Sequence, residues 1–283
     1  MSTYYTDPPV AARKICVVYD MIFELFPQCF EEDFWKMTLQ RQREAIVSAD
    51  KIICVSENTR KDIVRLWGVS ENRCRTIYIG GATAQAAGEE GPVSHDKPFL
   101  LYVGDFRCAY KNFEFVLAGL GPEAGKTSAG LDLVVVSRVV PNEEEKTRFA
   151  SLLSPERLRF VPDCSDGELR AYYRDCAAFI YPSLYEGFGL PVQEALCQGA
   201  PVVCSNAASL PEVGGDAVYY FDPTSAMQFR QALDQALAEG WNDSVVFRRK
   251  AQAALFSWDR TAKDYVAVFR EVCDPHFINA AKV

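Results

Sequence analysis

A chain of 283 residues is long enough for a large α/β domain and a second, smaller unit. With 49% hydrophobic and 24% charged residues it has the balance of a globular protein, which sets aside disordered and fibrous classes. A net charge of −8 argues against a broad nucleic-acid surface, so nucleic acid is not an expected partner. In chain order, residues 14–20 (KICVVYD), 51–56 (KIICVS) and 75–80 (RTIYIG) read as three buried strands. Ser56 is placed to cap a helix carrying Ile63, Leu66 and Trp67 and ending at Gly68. Three strands and two helices make a thin first unit. Residues 82–98 (ATAQAAGEEGPVSHDKP), rich in small and polar side chains, read as the linker.

The second half continues with 99–103 (FLLYV), 131–137 (LDLVVVS), 157–161 (RLRFV), 177–181 (AAFIY), 201–205 (PVVCS) and 217–221 (AVYYF). Each apolar run is continuous rather than alternating, as expected of strands covered on both faces in a parallel sheet. Helices separate them. Ser165 stands three before Glu168, a capping-box pattern, and Ser225 stands three before Gln228 at the start of a stripe through Phe229, Leu233, Ala236 and Leu237. Strands alternating with helices predict right-handed crossovers and a doubly wound, Rossmann-like α/β fold.

Ten cysteines occur without a C-x-x-C pair, and several lie in apolar runs, so they read as reduced, buried thiols of a cytoplasmic protein. No apolar stretch reaches the about 18–20 residues of a membrane span, and the N-terminus has no signal-peptide core. Only two histidines are present, His95 and His276, in polar segments expected to be exposed, which disfavours a histidine triad or a multi-histidine zinc centre. There is no Asp-x-Asp pair, so no metal and no other cofactor is expected.

The stretch 181–205, YPSLYEGFGLPVQEALCQGAPVVCS, carries the chemistry. A strand, a loop with Glu186-Gly187-Phe188-Gly189, a helix opening near Pro191 and a stop at Gly199 place the loop at the carboxyl end of the sheet. Glycines let the backbone approach a ligand, and a helix start faces an anion. Two acceptors bordering one cavity, Glu186 and Glu194, fit the vicinal hydroxyls of a polyol. The alternative is a solvated loop charge and a helix-dipole partner, and the residues alone leave both open. A second loop, 102–112 (YVGDFRCAYKN), has Gly104 at a tight turn followed by Arg107 and Lys111, cations for a diphosphate or an exposed basic turn.

These segments resemble the donor-binding signature of family 4 (group 1) glycosyltransferases, with the GT-B fold, and the resemblance extends to 49–63 (ADKIICVSENTRKDI), 157–183 and 256–265 (FSWDRTAKDY). It implies a nucleotide-sugar donor, with Glu186 on the sugar, Glu194 on the ribose, and the backbone of Gly187, Phe188, Gly189 and Leu190 near sugar and phosphates. It implies Lys111 and Arg107 on the diphosphate, Gly104 beside it, and Val161, Pro162 and Asp163 around the base. Two departures stand out. Tyr19 precedes Asp20 where the family has a histidine near the reacting sugar, and a phenol is a poor proton shuttle at neutral pH. Residues 2–9 (STYYTDPP) resemble a stretch deep inside the family's N-terminal domain, so a truncated N-terminal Rossmann-like domain is expected over 1–97. A complete donor domain is expected over 98–255, and a C-terminal helix over 256–283 returning toward the N-terminal domain.

The resemblance implies a retaining, metal-independent hexosyltransferase moving mannose or glucose from GDP or UDP to a hydroxyl of a glycan or lipid-linked acceptor, in cell-surface polysaccharide synthesis. The other readings are a nucleotide-sugar-binding subunit needing a partner chain and a GT-B epimerase. A homodimer or a partner chain is expected to complete the N-terminal domain, and a peripheral membrane contact is compatible with a lipid-linked acceptor.

Overall fold

The computed structural model describes residues 2–3, 13–81, 97–121 and 130–273. Most of the linker, both histidines and the greater part of the N-terminal 2–9 segment lie outside them. The chain forms two compact units: Met1–Gly80 with Glu186–Phe188 and Phe256–Val283, and Gly81–Tyr185 with Gly189–Leu255.

The first unit runs β1 (Ser2–Thr3), β2 (Ile15–Val18), α1 (Ile22–Leu25), α2 (Glu32–Ser48), β3 (Lys51–Cys54), α3 (Glu57–Trp67) and β4 (Cys74–Thr76). Its sheet has the order β1-β2-β3-β4 with every pair parallel. This corrects the three-strand expectation: β1 is two residues long, below the length at which an apolar run is visible, and it is held by backbone pairing of Ser2 with Cys16 and Thr3 with Val17. The Ser56 side chain accepts from the Thr59 N–H, and Gly68 closes α3 in the left-handed region at φ +64°.

The second unit runs β5 (Phe99–Val103), α4 (Phe113–Gly119), β6 (Asp132–Val136), α5 (Glu143–Ala150), β7 (Leu158–Val161), α6 (Asp166–Asp175), β8 (Ala178–Tyr181), α7 (Leu190–Gln198), β9 (Val202–Ser205), α8 (Leu210–Gly214), β10 (Tyr219–Phe221), α9 (Ala226–Glu239) and α10 (Asp243–Ala253). The last helix, α11 (Trp258–Cys273), falls in the first unit.

The second sheet has the order β10-β9-β8-β5-β6-β7, all parallel. The chain winds outward from β5 through β6 and β7, then returns to the other side of β5 with β8. The strand order reverses between β5 and β8, and the crevice outside their carboxyl ends is where such sheets take ligands. Leu100, Val135, Ile180 and Val203 on the strands pack with Phe113 and Phe229 on the helices, all buried. Burying each such side chain stabilises the unit by about 1.5–3 kcal/mol, enough to hold the strand ends in place. Among the described residues no helix is long and apolar enough to cross a membrane.

Candidate functional site

The loops leaving β5 and β8 are stitched together. The Leu184 N–H donates to the Tyr110 carbonyl at 2.7 Å. Asn112 adopts the left-handed conformation at φ 55°, and its amide donates to the carbonyls of Pro182 (3.2 Å) and Pro223 (2.9 Å). An asparagine tolerates that conformation better than most side chains. The same residue thus turns the chain into α4 and ties together the loops after β8 and β10. Lys111 Nζ donates to the Tyr181 hydroxyl at 3.0 Å and lies 5.4 and 5.2 Å from the ring centroids of Tyr110 and Tyr181. The ammonium sits at the reversal point of the sheet on an aromatic support.

Arg107 takes another course. Its guanidinium donates through Nε and Nη2 to the two carboxylate oxygens of Glu145 at 2.7 and 2.9 Å, and through Nη2 to the Val140 carbonyl. Glu145 is also the reciprocal partner of Asn142 in the capping box of α5. The Arg107 pair and the Asn142 backbone bond together hold the Glu145 carboxyl at about 2, well below the usual carboxylate range. The cation assigned to a ligand by sequence is therefore engaged by a carboxylate 38 residues away, which local spacing could not reveal.

A cavity of about 360 Å³ opens at the carboxyl ends of β5, β6 and β7, lined among others by Gly104, Asp105, Ser137, Arg138, Pro162 and Asp166. Val161 ends β7 with its carbonyl bound by the Ser137 N–H, and Asp163 is exposed beyond it. Ser137 and Arg138 were not singled out by sequence, because a polar pair after a strand carries no signature of its own.

Helix α7 starts at Leu190 after Gly189, with proline in its first turn and no side-chain cap. Gly189 has φ +105°, a conformation that favours glycine, and a Cβ there would also press on Leu210 Cδ2 at 2.7 Å. Glu194, on the same helix, is half-buried, and its Oε2 accepts from the Tyr173 hydroxyl at 3.1 Å. Burial raises the Glu194 carboxyl above its ordinary value; the Tyr173 hydrogen bond opposes this and the nearby Asp166 charge adds to it. Tyr173 and Tyr181 also escaped the sequence reading. Tyr181 ends an apolar strand and Tyr173 lies on the buried side of an amphipathic helix, places where an aromatic residue is normally core.

Glu186, Gly187 and Phe188 belong to the first unit. Glu186 is buried. A Cβ on Gly187 would lie 1.9 Å from the Tyr19 carbonyl oxygen and 2.8 Å from Asp20 Cβ, and the Gly187 carbonyl accepts from Thr59 Oγ1 at 3.3 Å. Gly187 is thus required by close backbone contact with the Tyr19–Asp20 segment. Asp20 Oδ1 accepts from the Ile22 N–H at 2.9 Å, fixing the entry to α1, while Tyr19 is 39% exposed. Phe188 packs edge-on against Phe256 at 5.4 Å.

Among known proteins, the family model of the group 1 glycosyl transferases matches residues 86–254. The O-antigen chain mannosyltransferase B of Escherichia coli is 26% identical over 285 residues, covering 91% of this chain and 70% of the relative. The serotype-specific mannosyltransferase WbdA of Escherichia coli is 28% identical over 271 residues, 88% of this chain and 32% of the relative, so the chain spans only about a third of that protein. Among solved structures, the sucrose-phosphate synthase of Thermosynechococcus elongatus superposes with a TM-score of 0.71 at 22% identity, covering 91% of this chain and 67% of the other. That likeness is one of fold, and the fold is of the GT-B type.

Proposed function

The chain belongs to the group 1 glycosyl transferases, and from that premise we propose that it moves a hexose, of the mannose or glucose type, from a GDP- or UDP-linked donor to a hydroxyl of a glycan or lipid-linked acceptor, with retention at the anomeric carbon. The observation that carries this reading is the stitched pair of loops at the β5/β8 reversal, which holds the Lys111 ammonium on the same sheet as the start of α7. Names of the relatives favour mannose and a place in cell-surface polysaccharide synthesis.

Lys111 and the amino end of α7 neutralise the diphosphate, more so as it departs and gains charge. Glu194 accepts the ribose hydroxyls, Glu186 meets the sugar, and the base occupies the cavity beside Ser137 and Pro162. The acceptor hydroxyl attacks from the face the diphosphate leaves, and the leaving phosphate oxygen takes its proton. Arg107 joins the diphosphate only by leaving Glu145, so its contribution is secondary to that of Lys111. Transfer proceeds without a metal.

Calorimetric titration with GDP, UDP, ADP and their sugars tests the reading. Lys111→Ala should weaken the preferred diphosphate by roughly 10- to 100-fold, the range of one charge-assisted contact of about 1.5–3 kcal/mol. EDTA should leave binding and transfer unchanged. An unaltered titration for Lys111→Ala, or activity abolished by EDTA and restored by a divalent ion, would refute the corresponding part. Nuclear magnetic resonance of the product's anomeric proton decides retention.

A further inference from the structure

We propose that Tyr173, a residue with no access to a ligand, is a positioning residue of the donor site: its hydroxyl aims the Glu194 carboxylate. The inference rests on the reading that Glu194 accepts the ribose hydroxyls.

Tyr173 lies on α6 and is 1% exposed. Its ring stands edge-on to Phe179 of β8 at 5.1 Å and 89°, which fixes the ring plane and the direction of the hydroxyl. The hydroxyl donates to Glu194 Oε2 at 3.1 Å. Burial first, and then the Glu194 charge, push the phenol well above its ordinary value, so it stays a protonated donor at any working pH. A free glutamate side chain samples many rotamers and loses that freedom when its carboxylate is held. One bond to Oε2 removes much of that freedom in advance and leaves Oε1 and the remaining Oε2 lone pair for two vicinal hydroxyls.

The charges around Glu194 make this bond decisive. Helix α6 contributes Tyr173, which favours the ionised form, and Asp166, which opposes it. On α7 itself Cys197 is a neutral thiol raised by its own burial, and on α10 Lys250 acts on Cys197. Tyr181 of β8 acts on Tyr173, α8 carries Glu212, and β9 carries the buried Cys204 thiol. Among the described residues the groups that act on the carboxylate are Tyr173 and Asp166, and neither is basic. Against desolvation and Asp166, the phenol is the group that holds Glu194 in its acceptor form. A protonated carboxyl has fewer lone pairs to offer a diol. The bland alternative is that Glu194 merely satisfies a buried tyrosine hydroxyl.

The test is calorimetry of the full chain from pH 5 to 8.5 with GDP-mannose and UDP-glucose, whose diphosphate diesters do not titrate in that range. Wild type should lose affinity on the acid side as Glu194 protonates. Tyr173→Phe should move that midpoint upward, weakening binding roughly 5- to 30-fold near pH 6 and much less at pH 8.5. Glu194→Gln should be weak and flat across the range. A Tyr173→Phe chain with the wild-type midpoint and affinity, beside a weakened Glu194→Gln, would overturn the proposal while the ribose assignment stands. Wild-type binding by Glu194→Gln, or no binding of either probe by wild type, removes the donor-site reading and the proposal together. Should Tyr173→Phe not fold, 3-fluorotyrosine at position 173, a stronger donor, must shift the midpoint downward; an unmoved midpoint refutes the idea.

Discussion

Glu194 shows how a half-buried carboxylate can work against the stability of its own fold. Its carboxyl is raised mainly by burial, so the folded state binds its proton more tightly than the unfolded chain does. The sign follows from linkage. Below the unfolded value, near about 4.3, the group is neutral in both states and contributes nothing. Above the raised folded value it is ionised in both, and the folded state bears the desolvation in full. Glu194→Gln retains an acceptor for the Tyr173 hydroxyl and removes the charge. It should therefore unfold at a higher temperature than wild type at pH 7–8, with the gain vanishing near pH 4, while nucleotide affinity falls. Thermal unfolding at the two pH values decides this; a variant less stable than wild type at pH 8 would show that the carboxylate stabilises.

At the scale of elements, α6, which holds Tyr173 against Glu194, is closed at its amino end by a capping box. The Ser165 hydroxyl accepts from the Glu168 N–H, and the Glu168 carboxylate accepts from the Ser165 N–H. Ser165→Ala should cost about 1 kcal/mol of stability, read by urea unfolding. Because α6 also holds Tyr173, the variant should weaken donor binding slightly, and a loss of stability beyond about 2 kcal/mol would mean the cap does more than close a helix end. That box was legible in sequence, as were the buried strands: continuous apolar runs such as 99–103 have no other comfortable environment. The same Ser-x-x-Gln spacing at 225–228 misleads by half. Ser225 accepts from the Gln228 N–H, but the Gln228 side chain turns to the Asp222 N–H at 3.0 Å. Glu186 and Glu194 could be singled out because a motif surrounds them. Their partners could not, since Tyr173 and Glu194 are 21 residues apart and Arg107 and Glu145 are 38 apart, and the pairs exist only once the sheet is wound.

For the molecule as a whole, acid stability should rest on carboxylates that behave oppositely to Glu194. Glu57 is held at about 2, chiefly by hydrogen bonds from Arg60, with Thr76 adding to them, and Glu145 at about 2 by Arg107. Depressed folded values mean stability fully present above the unfolded value, near about 4.3, and lost as pH falls toward about 2. Arg107→Gln should be only slightly less stable than wild type at pH 7, because its guanidinium is half-exposed and the pair is screened by solvent. The difference should shrink as pH falls toward about 2, where Glu145 of the wild type begins to be protonated as it already is in the variant. Denaturant unfolding at pH 7 and at the lowest pH where both remain folded measures it, and a gap that persists undiminished would refute the pairing as its source.

The stitching of the β5 and β8 loops has a consequence in time rather than in space. With the Leu184 N–H on the Tyr110 carbonyl and the Asn112 amide on two further carbonyls, the loop is already ordered before a donor arrives. Hydrogen–deuterium exchange should then be slow at Leu184 in the unliganded chain, at a rate set by opening of the surrounding sheet rather than by local fraying. Adding nucleotide should change that rate little. Asn112→Ala should accelerate it, and fast exchange at Leu184 in the unaltered protein would mean that the loop assembles around its ligand.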